Sequence, residues 1–414
     1  MSLKLNISKL YIYLTLLIFL PPGCLQYIQN MEFLNKTLAM LRYLWTAWAI
    51  LDYILNKERK RKFSNLFLAG ITTLSFLMIL SMKMNGTIYF TGALSCVNNI
   101  GWILVNMKLY DKDREKLFTC YLHLLCSYFI LNFLVQIIFS QGLVKNHIGD
   151  NRVFFIGLKN SMTTYSILFL FLYVIMAAGK KQKKHFIGVF LLLDIAILVN
   201  GSSATLLTAV IIQAYLLFEY ILGQNSAAKK MLIHALQIFG VAAVIFFFYY
   251  VVVGNQNFIF TNFISMTFGK GISFSGRGSV WQLAVSYIMK YPVWGQGNDV
   301  AYAPWGNGAI VYSAHNAYLD FAVKYGLLVG VFYVCFLLWV IKRAISASRD
   351  SKKLNIPIFV ITVSIAFMFE ASAGFYTSWA VLLFTYLLSK SQTGERIEEN
   401  AVNKKSSKKI IQNV

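Results

Sequence analysis

Continuous apolar stretches of about 20 residues, separated by short polar segments, occupy most of this sequence. A helix of that length crosses the hydrocarbon core of a bilayer. A transmembrane β-barrel is excluded, because barrel strands are shorter and alternate polar with apolar residues. Only 13% of the 414 residues are charged, whereas soluble domains average about 25%. The sequence therefore predicts an all-α polytopic membrane protein.

Twelve spans are predicted from the apolar stretches and the polar segments between them. The second span is the least typical, because it contains Arg42 and has Lys36 at its outer end. We expect it to be tilted or partly interfacial. The predicted spans are residues 10–28, 37–56, 65–82, 88–107, 117–139, 161–178, 186–199, 204–222, 231–254, 317–341, 355–372 and 377–389.

Basic residues are clustered in every second connection between these spans. Of the 38 Lys and Arg residues, 28 lie on one side of the predicted membrane, which the positive-inside rule makes the cytoplasm. Both termini are then cytoplasmic. Because the basic residues form short clusters rather than one basic domain, we expect no nucleic-acid partner despite the net charge of +22.

The predicted organisation is a single transmembrane domain, residues 1–389, followed by a charged tail at 390–414 that is expected to be disordered in the cytoplasm. One extracytoplasmic loop, residues 255–316, is long enough to fold outside the bilayer. A smaller external loop runs from 140 to 160. The chain lacks a Walker A sequence, H-E-x-x-H, C-x-x-C and clustered carboxylates with ligand spacing. We therefore expect neither ATP hydrolysis nor a cofactor or tightly held metal.

A helix is predicted inside the large loop. Ser279 and Gln282 have the spacing of a capping box, and Pro292 stops the helix. Its apolar residues recur on one face, so we expect an amphipathic helix on the outer membrane surface. The residues of that face are Trp281, Ala284, Val285 and Ile288.

Arg277 lies just ahead of the predicted helix start, between two glycines. Free backbone N–H groups, the positive end of the helix dipole and a guanidinium converge there, which suits phosphate or pyrophosphate. The alternative is that Arg277 meets lipid headgroups or an acidic neighbour.

Two further segments of the loop attract attention. Residues 291–297, Tyr-Pro-Val-Trp-Gly-Gln-Gly, are rich in turn residues, and Gly295 and Gly297 permit close backbone approach. His315 and Asn316 then precede the tenth span, where an imidazole has a pKa suited to accepting a proton from a hydroxyl. The alternative for His315 is a hydrogen-bonded residue at a helix start. The many aromatic residues of the loop suit either an interfacial belt or sugar rings.

The order of these elements resembles the bacterial O-antigen ligase and O-antigen or capsular polysaccharide polymerase superfamily, of the Wzy type. The resemblance rests on Arg277 with Trp281, Tyr291-Pro292-x-x-Gly295-x-Gly297, and His315-Asn316-x-Tyr318-Leu319 with Gly326, all in or beside one external loop. It implies a GT-C-like fold of about twelve helices. It also implies that Arg277 contacts a lipid pyrophosphate and that His315 acts at the acceptor or stabilises the departing charge.

The substrate-binding residues that follow from these motifs and from nearby basic positions are Trp281, Tyr291, Gly295, Gly297, Asn316, Tyr318, Lys270 and Arg152. One departure matters: many relatives have a Ser-Arg pair at the outer end of the seventh span, and here Ser203 occupies the arginine's place. Arg152, Lys159 and Lys270 are the alternatives for a second cation. Among acidic residues in the spans, Asp194 and Glu370 are candidates for function or for hydrogen bonds between helices.

The resemblance implies a glycosyltransferase of the bacterial cytoplasmic membrane. The expected activity is polymerisation of undecaprenyl-pyrophosphate-linked oligosaccharide repeats into capsular or O-antigen-type polysaccharide on the outer face. A ligase of the same superfamily is the first alternative, and a lipid-linked oligosaccharide flippase or transporter is the second. Expected partners are the lipid-linked donor and the bilayer, with flippase and chain-length regulator proteins beside them.

Overall fold

The computed structural model describes residues 7–56, 66–87, 90–146, 151–178, 185–222, 277–298, 300–303, 310–350, 356–370 and 375–390, and isolated positions between 227 and 242. This part of the chain is mainly helical. Its helices are α1 (Ile7–Phe19), α2 (Glu32–Leu55), α3 (Leu66–Met84), α4 (Phe90–Ile138), α5 (Met162–Ala178), α6 (His185–Asn200), α7 (Ser203–Leu222), α8 (Arg277–Lys290), α9 (Ala317–Asp350), α10 (Ile356–Phe369) and α11 (376–390).

Five helical stretches within the described residues are long and apolar enough to cross a membrane. They contain α1, α2, α3, α4 and α9, and shorter apolar helices accompany them. The protein is thus a multi-pass helical membrane protein. The predicted ninth span, the tail from 391 and much of the large loop lie outside the described residues, so the count of twelve spans stays a prediction.

Helix α4 joins two predicted spans, because it is 49 residues long and its backbone leaves the helical region at Asp113, with φ −165° and ψ 90°. The side chain of Asp113 accepts a hydrogen bond from the Lys116 N–H at 2.9 Å and so caps the second half of α4. Each half has the length of one span. The predicted break in the basic segment at 108–116 is therefore present.

Two predicted spans are interrupted in the structure. In the first, helix α1 ends at Phe19, because Pro21 and Pro22 follow and proline disfavours helical continuation. A 3₁₀ turn then continues the apolar stretch to Gln26, near the predicted end at residue 28. The span predicted at 317–341 extends to Asp350 and is broken at Gly326, where φ is 86° and ψ is 169°. Residues 317–325 and 327–350 are therefore two helical segments of different direction.

A small antiparallel sheet was not predicted in the external loop at 140–160. Its strands are β1 (Val144–Asn146), β2 (Asn151–Phe154) and β3 (Gly157–Leu158), in the order β1-β2-β3. The sheet is attached to the bundle by the Cys24 N–H, which donates to the Phe155 carbonyl at 3.2 Å, and by the Ile156 N–H, which donates to the Asn132 side chain at 2.9 Å. Its strands are too short for their polar–apolar alternation to be recognised in the sequence.

The helices enclose one large apolar core, which α10 and α11 cross. Trp102, Tyr333 and Trp379 are among its largest fully buried side chains. Helix α10 is buried on almost every face, as expected for a helix surrounded by others. In contrast, α6 exposes large apolar side chains, which suits contact with lipid. All five cysteines are free.

Some polar side chains form pairs between the helices. Gln213 of α7 donates to the carboxylate of Asp194 in α6 at 2.8 Å. Lys108 pairs with Asp52 at 3.2 Å and lies 3.9 Å from the centroid of the Trp48 ring. A hydrogen bond between helices is the second of the two alternatives considered for Asp194, and the structure shows it.

Candidate functional site

Helix α8 packs against protein rather than lying with its apolar face on the membrane. Val280, Trp281 and Ala284 are buried in a second, smaller core together with Val300, Tyr302, Ala314 and Val323. The predicted amphipathic face is present, but its partners are the remainder of the loop and the start of α9. The apolar face is therefore used to fix α8 against the segment that carries His315.

The predicted start of this helix is corrected by two residues. Helix α8 begins at Arg277, so Ser279 lies within its first turn and is not the N-cap. A capping box is a local preference, whereas the buried contacts of Val280 and Trp281 hold the first turn in helical form here. Arg277 is the first residue of α8 in the described part of the chain, so it lies within the helix and not ahead of it.

Trp281 connects α8 directly to the loop of residues 313–316, the His315 loop. The indole is 1% exposed, and its Nε1–H donates to the Ala314 carbonyl at 2.8 Å. A buried indole needs such an acceptor. The motif predicts that Trp281 binds substrate. In the structure its indole holds the Ala314 carbonyl, one residue before His315.

A buried carboxylate holds the loop on its other side. Asp320, 6% exposed, accepts the Ser313 hydroxyl at 2.7 Å on one oxygen and the Ala314 N–H at 2.8 Å on the other. The Ser313 oxygen in turn accepts the His315 N–H at 2.9 Å. Three consecutive residues are thereby tied to one side chain.

His315 has an unusual backbone conformation, with a φ of 49°. A left-handed conformation costs a residue with a Cβ roughly 1–2 kcal/mol. It persists where the surroundings fix it, and such residues are concentrated at functional sites. The bonds from Ser313, Ala314 and Asp320 are the fixing contacts here. The side chain of His315 is only partly buried.

Asn316 and Tyr318 attach the start of α9 to α10. The Asn316 side chain accepts the Leu319 N–H at 3.0 Å and so caps α9, while its amide donates to the Met368 carbonyl at 2.9 Å. The Tyr318 hydroxyl donates to the Ser364 carbonyl at 2.8 Å. The helix start predicted at this motif is confirmed. Both residues hold the His315 loop at the end of α10.

The turn-rich segment 291–297 docks where α9 is broken. The N–H groups of Gln296 and Gly297 donate to the Val323 and Lys324 carbonyls at 2.7 and 3.0 Å, and the Leu327 N–H donates to the Pro292 carbonyl at 2.7 Å. A Cβ on Gly326 would overlap the Val293 carbonyl. The break in α9 therefore frees the groups that bind this segment, and glycine allows the two backbones to touch.

The same segment is bound from α3 as well. The Ser81 hydroxyl and the Asn85 amide both donate to the Trp294 carbonyl, at 2.6 and 2.8 Å. Gly295 and Gly297 have φ values of 70° and 100°, and both are buried. The close approach predicted for these glycines is thus between backbone segments of the protein.

Tyr302 is fully buried beneath the loop, beside Tyr287 and Asp320. Burial, with the negative charge of Asp320 as a further cause, raises the pKa of Tyr302 well above its ordinary value. Its hydroxyl finds no hydrogen-bond partner among the residues that the structure describes. Tyr302 therefore stays neutral beside the carboxylate of Asp320.

The remaining predicted site residues are spread more widely. Tyr291 is 39% exposed, and Lys290 lies 5.4 Å from its ring centroid. Arg152 lies on β2 and donates to the Ser140 carbonyl at 3.0 Å. Ser203 is the first residue of α7 and is exposed. Lys270 lies outside the described residues.

Asp320 and Ser313 were not among the site residues predicted from the sequence. A usable signal was the spacing itself, because an acidic residue in the first turn of a helix often binds the N–H groups and hydroxyls just before that helix.

The chain matches a known family in this region. Residues 187–334 match the family described as O-antigen ligase. The matched range runs from α6 into α9 and contains Arg277, the segment 291–297 and the His315 loop. No curated protein is similar enough to the chain to count as a match. With the helical membrane architecture, this match supports the resemblance to the O-antigen ligase and polymerase superfamily that the sequence motifs indicate.

Proposed function

We propose that the protein is a glycosyltransferase that polymerises undecaprenyl-pyrophosphate-linked oligosaccharide repeats on the outer face of the bacterial cytoplasmic membrane. The observation that carries this proposal is the His315 loop, which three separate elements hold in a strained conformation inside the region that matches the family. Such strain suits a residue whose position matters for chemistry.

The proposed step needs one base and one anion site. The acceptor hydroxyl oxygen bonds to the anomeric carbon of the donor sugar, and its proton passes to the imidazole of His315. The bond between that carbon and the pyrophosphate oxygen breaks, and the lipid pyrophosphate leaves with the electron pair. Arg277, at the N-terminus of α8, would stabilise the negative charge that develops there.

The other predicted site residues divide into two groups in this proposal. Tyr291, being exposed, is proposed to contact sugar. The second group supports the site through packing and hydrogen bonds, and consists of Trp281, Gly295, Gly297, Asn316 and Tyr318. We propose Arg152 and Lys270 as further contacts for the acidic donor.

A ligase is the second candidate, because the matched family is described by that activity. The bond made and the bond broken are of the same kind, and only the acceptor differs. A polymerase transfers glycan to another lipid-linked repeat, whereas a ligase transfers it to a separate acceptor such as lipid A core or protein.

The deciding experiment uses the purified chain in liposomes, with lipid-linked repeats extracted from cells that lack it. A ladder of longer lipid-linked glycans is expected from the repeats alone. Product that forms only when lipid A core or acceptor protein is added would establish the ligase instead. Movement of repeats across the liposome membrane without any new glycosidic bond would refute both and favour a flippase.

Arg277→Lys is expected to lose most of the transfer activity although the charge is kept. Lysine lacks the planar fork that binds two phosphate oxygens at once. Initial rates with the extracted repeats measure the effect. Lys290→Arg, at the other end of α8, is the matched control and should keep the wild-type rate. Equal rates for Arg277→Lys and wild type would remove Arg277 from the pyrophosphate site.

Asp320→Asn is expected to lower the maximal rate about 10- to 100-fold, since hydrogen bonds to a charged group contribute roughly 1.5–3 kcal/mol. An amide presents an N–H where the Ala314 N–H or the Ser313 hydroxyl now donates. The effect should fall on kcat, with KM for the repeats little changed, because Asp320 positions the His315 loop. Asp52→Asn, which disrupts the ion pair with Lys108, is the control and should leave kcat unchanged.

A further inference from the structure

Arg42 is a charged residue inside a predicted span that the proposed chemistry does not use. It lies in the middle part of α2, where its side chain is partly buried. Its Nε–H donates to the Ile18 carbonyl at 3.2 Å. The guanidinium also forms a hydrogen bond with the Tyr376 side chain, and its central carbon lies 5.5 Å from the centroid of that ring.

The ion pairs seen between described residues do not include Arg42. They join Lys36 to Glu32, Lys108 to Asp52, and Lys116 to Asp113. A backbone carbonyl and an aromatic face stabilise a cation only partly. An arginine within a membrane span is costly and is usually found where it meets an anion or water. Arg42 therefore has the capacity to bind an anion.

Three helix ends meet around this guanidinium. Ile18 belongs to the last turn of α1, and Tyr376 is the first residue of α11. Tyr165, in the first turns of α5, is near enough to interact electrostatically with Arg42. All three ends adjoin segments that the basic clusters predict to be extracytoplasmic. Arg42 is thus at the outer boundary, although it is part-way along α2, which fits the tilted or interfacial second span expected from the sequence.

The His315 loop lies near the end of α10, and a short connection joins α10 to α11, which contacts Arg42. Asn316 binds the Met368 carbonyl near the end of α10, and Tyr376 begins α11. Seven residue steps separate Phe369 from Tyr376, which can span at most about 25 Å. The helix ends that contact Asn316 and Arg42 are therefore no farther apart than this distance.

We propose that Arg42 binds the phosphate of a lipid in the outer leaflet, and that the polyprenyl pyrophosphate of the donor is its main occupant. A guanidinium has five N–H groups, so donors remain beyond those used by Ile18 and Tyr376, and a pyrophosphate supplies oxygens for two parallel hydrogen bonds. The choice of the donor over a phospholipid headgroup rests on the proposed function. The site would supply the second cation that Ser203 does not provide.

Binding is tested without any transfer reaction, by native mass spectrometry of the purified full chain with undecaprenyl pyrophosphate, undecaprenol or phosphatidylglycerol. Arg42→Gln is expected to weaken undecaprenyl pyrophosphate binding about tenfold or more, and Arg42→Lys to a smaller extent. Undecaprenol, which has no phosphate, should bind wild type and Arg42→Gln alike. Lys36→Gln, on the same helix and 74% exposed, is the matched control and should bind as wild type does.

A second measurement uses the wild-type chain, in case the variants fold poorly. Phenylglyoxal modifies accessible arginines, and peptide mass spectrometry reports the rate at Arg42. Undecaprenyl pyrophosphate should slow that rate and undecaprenol should not. Equal slowing by phosphatidylglycerol would identify a general headgroup site for lipid phosphate. Unchanged binding by Arg42→Gln, together with no protection of Arg42, would overturn the proposal.

Failure of this inference and failure of the proposed function give different results. If Arg42 does not bind lipid phosphate, the wild-type chain still extends lipid-linked repeats in liposomes. If the chain does not transfer glycan, binding that depends on Arg42 is still measured.

Discussion

Replacement of His315 by Ala is expected to abolish visible polymer and leave single lipid-linked repeats to accumulate. Loss of a general base typically lowers the rate 10²- to 10⁴-fold, which corresponds to an increase of about 3–5 kcal/mol in the activation free energy. The purified variant in liposomes gives the rate, and a gel of glycans from cells that express it at wild-type membrane levels gives chain length.

That experiment must distinguish the effect of the His315 backbone conformation from the effect of its imidazole. The residue has a φ of 49°, a conformation that Asn adopts more readily than most residues. His315→Asn therefore keeps the loop and removes the base, and it should be as inactive as His315→Ala. His123, whose Nδ1 is hydrogen-bonded to the Tyr13 hydroxyl at 2.8 Å, is away from the His315 loop, so His123→Ala should make normal polymer. Long polymer from both His315 variants would exclude His315 as the base.

Features that depend on neighbouring residues were predictable from the sequence. The start of α9 follows from Asn316, because an N-cap acts on the first turn of its own helix. The break at Asp113 was expected from the basic segment between two apolar stretches. The apolar face of α8 follows from helical periodicity alone.

The contacts made by those features were not predictable, because they join segments distant in the chain. Trp281 and Ala314 are separated by 33 positions, and their hydrogen bond shows that Trp281 supports the loop. Substrate binding by Trp281 stays a prediction. The apolar face of α8 was assigned to the membrane for the same reason. Periodicity shows that a face is buried, but it does not show what covers it.

Asp320 illustrates a different limit. A carboxylate in a predicted span suggests function by its cost alone, yet its partners are a hydroxyl and an N–H from the preceding loop. The same holds for Arg42. The sequence shows only that a charged residue lies in the second predicted span, and the packing of α1, α5 and α11 around it makes it a candidate anion site.

Gly326→Ala is expected to damage both folding and transfer. The φ of 86° and ψ of 169° at Gly326 belong to a region that is essentially limited to glycine, at a cost of about 1–3 kcal/mol for other residues. The new Cβ would also overlap the Val293 carbonyl, so the backbone of 291–297 must move away from α9. The hydrogen bonds to Val323 and Lys324 should then be lost, and with them the fixed direction of residues 317–325 that follow His315.

Gly330→Ala is the matched control for this change. Gly330 is buried in the same helix, four residues later, and a Cβ there would meet the nearest atom, the Ala322 Cβ, at an ordinary 3.4 Å. Because alanine favours helix over glycine, Gly330→Ala should keep or slightly raise the apparent unfolding temperature in detergent. Gly326→Ala should lower it by several degrees and reduce the transfer rate by at least the factor seen for Asp320→Asn, since it displaces the same loop from another side. A Gly326→Ala protein with wild-type unfolding temperature and rate would show that the docking of 291–297 on α9 is not needed to hold His315.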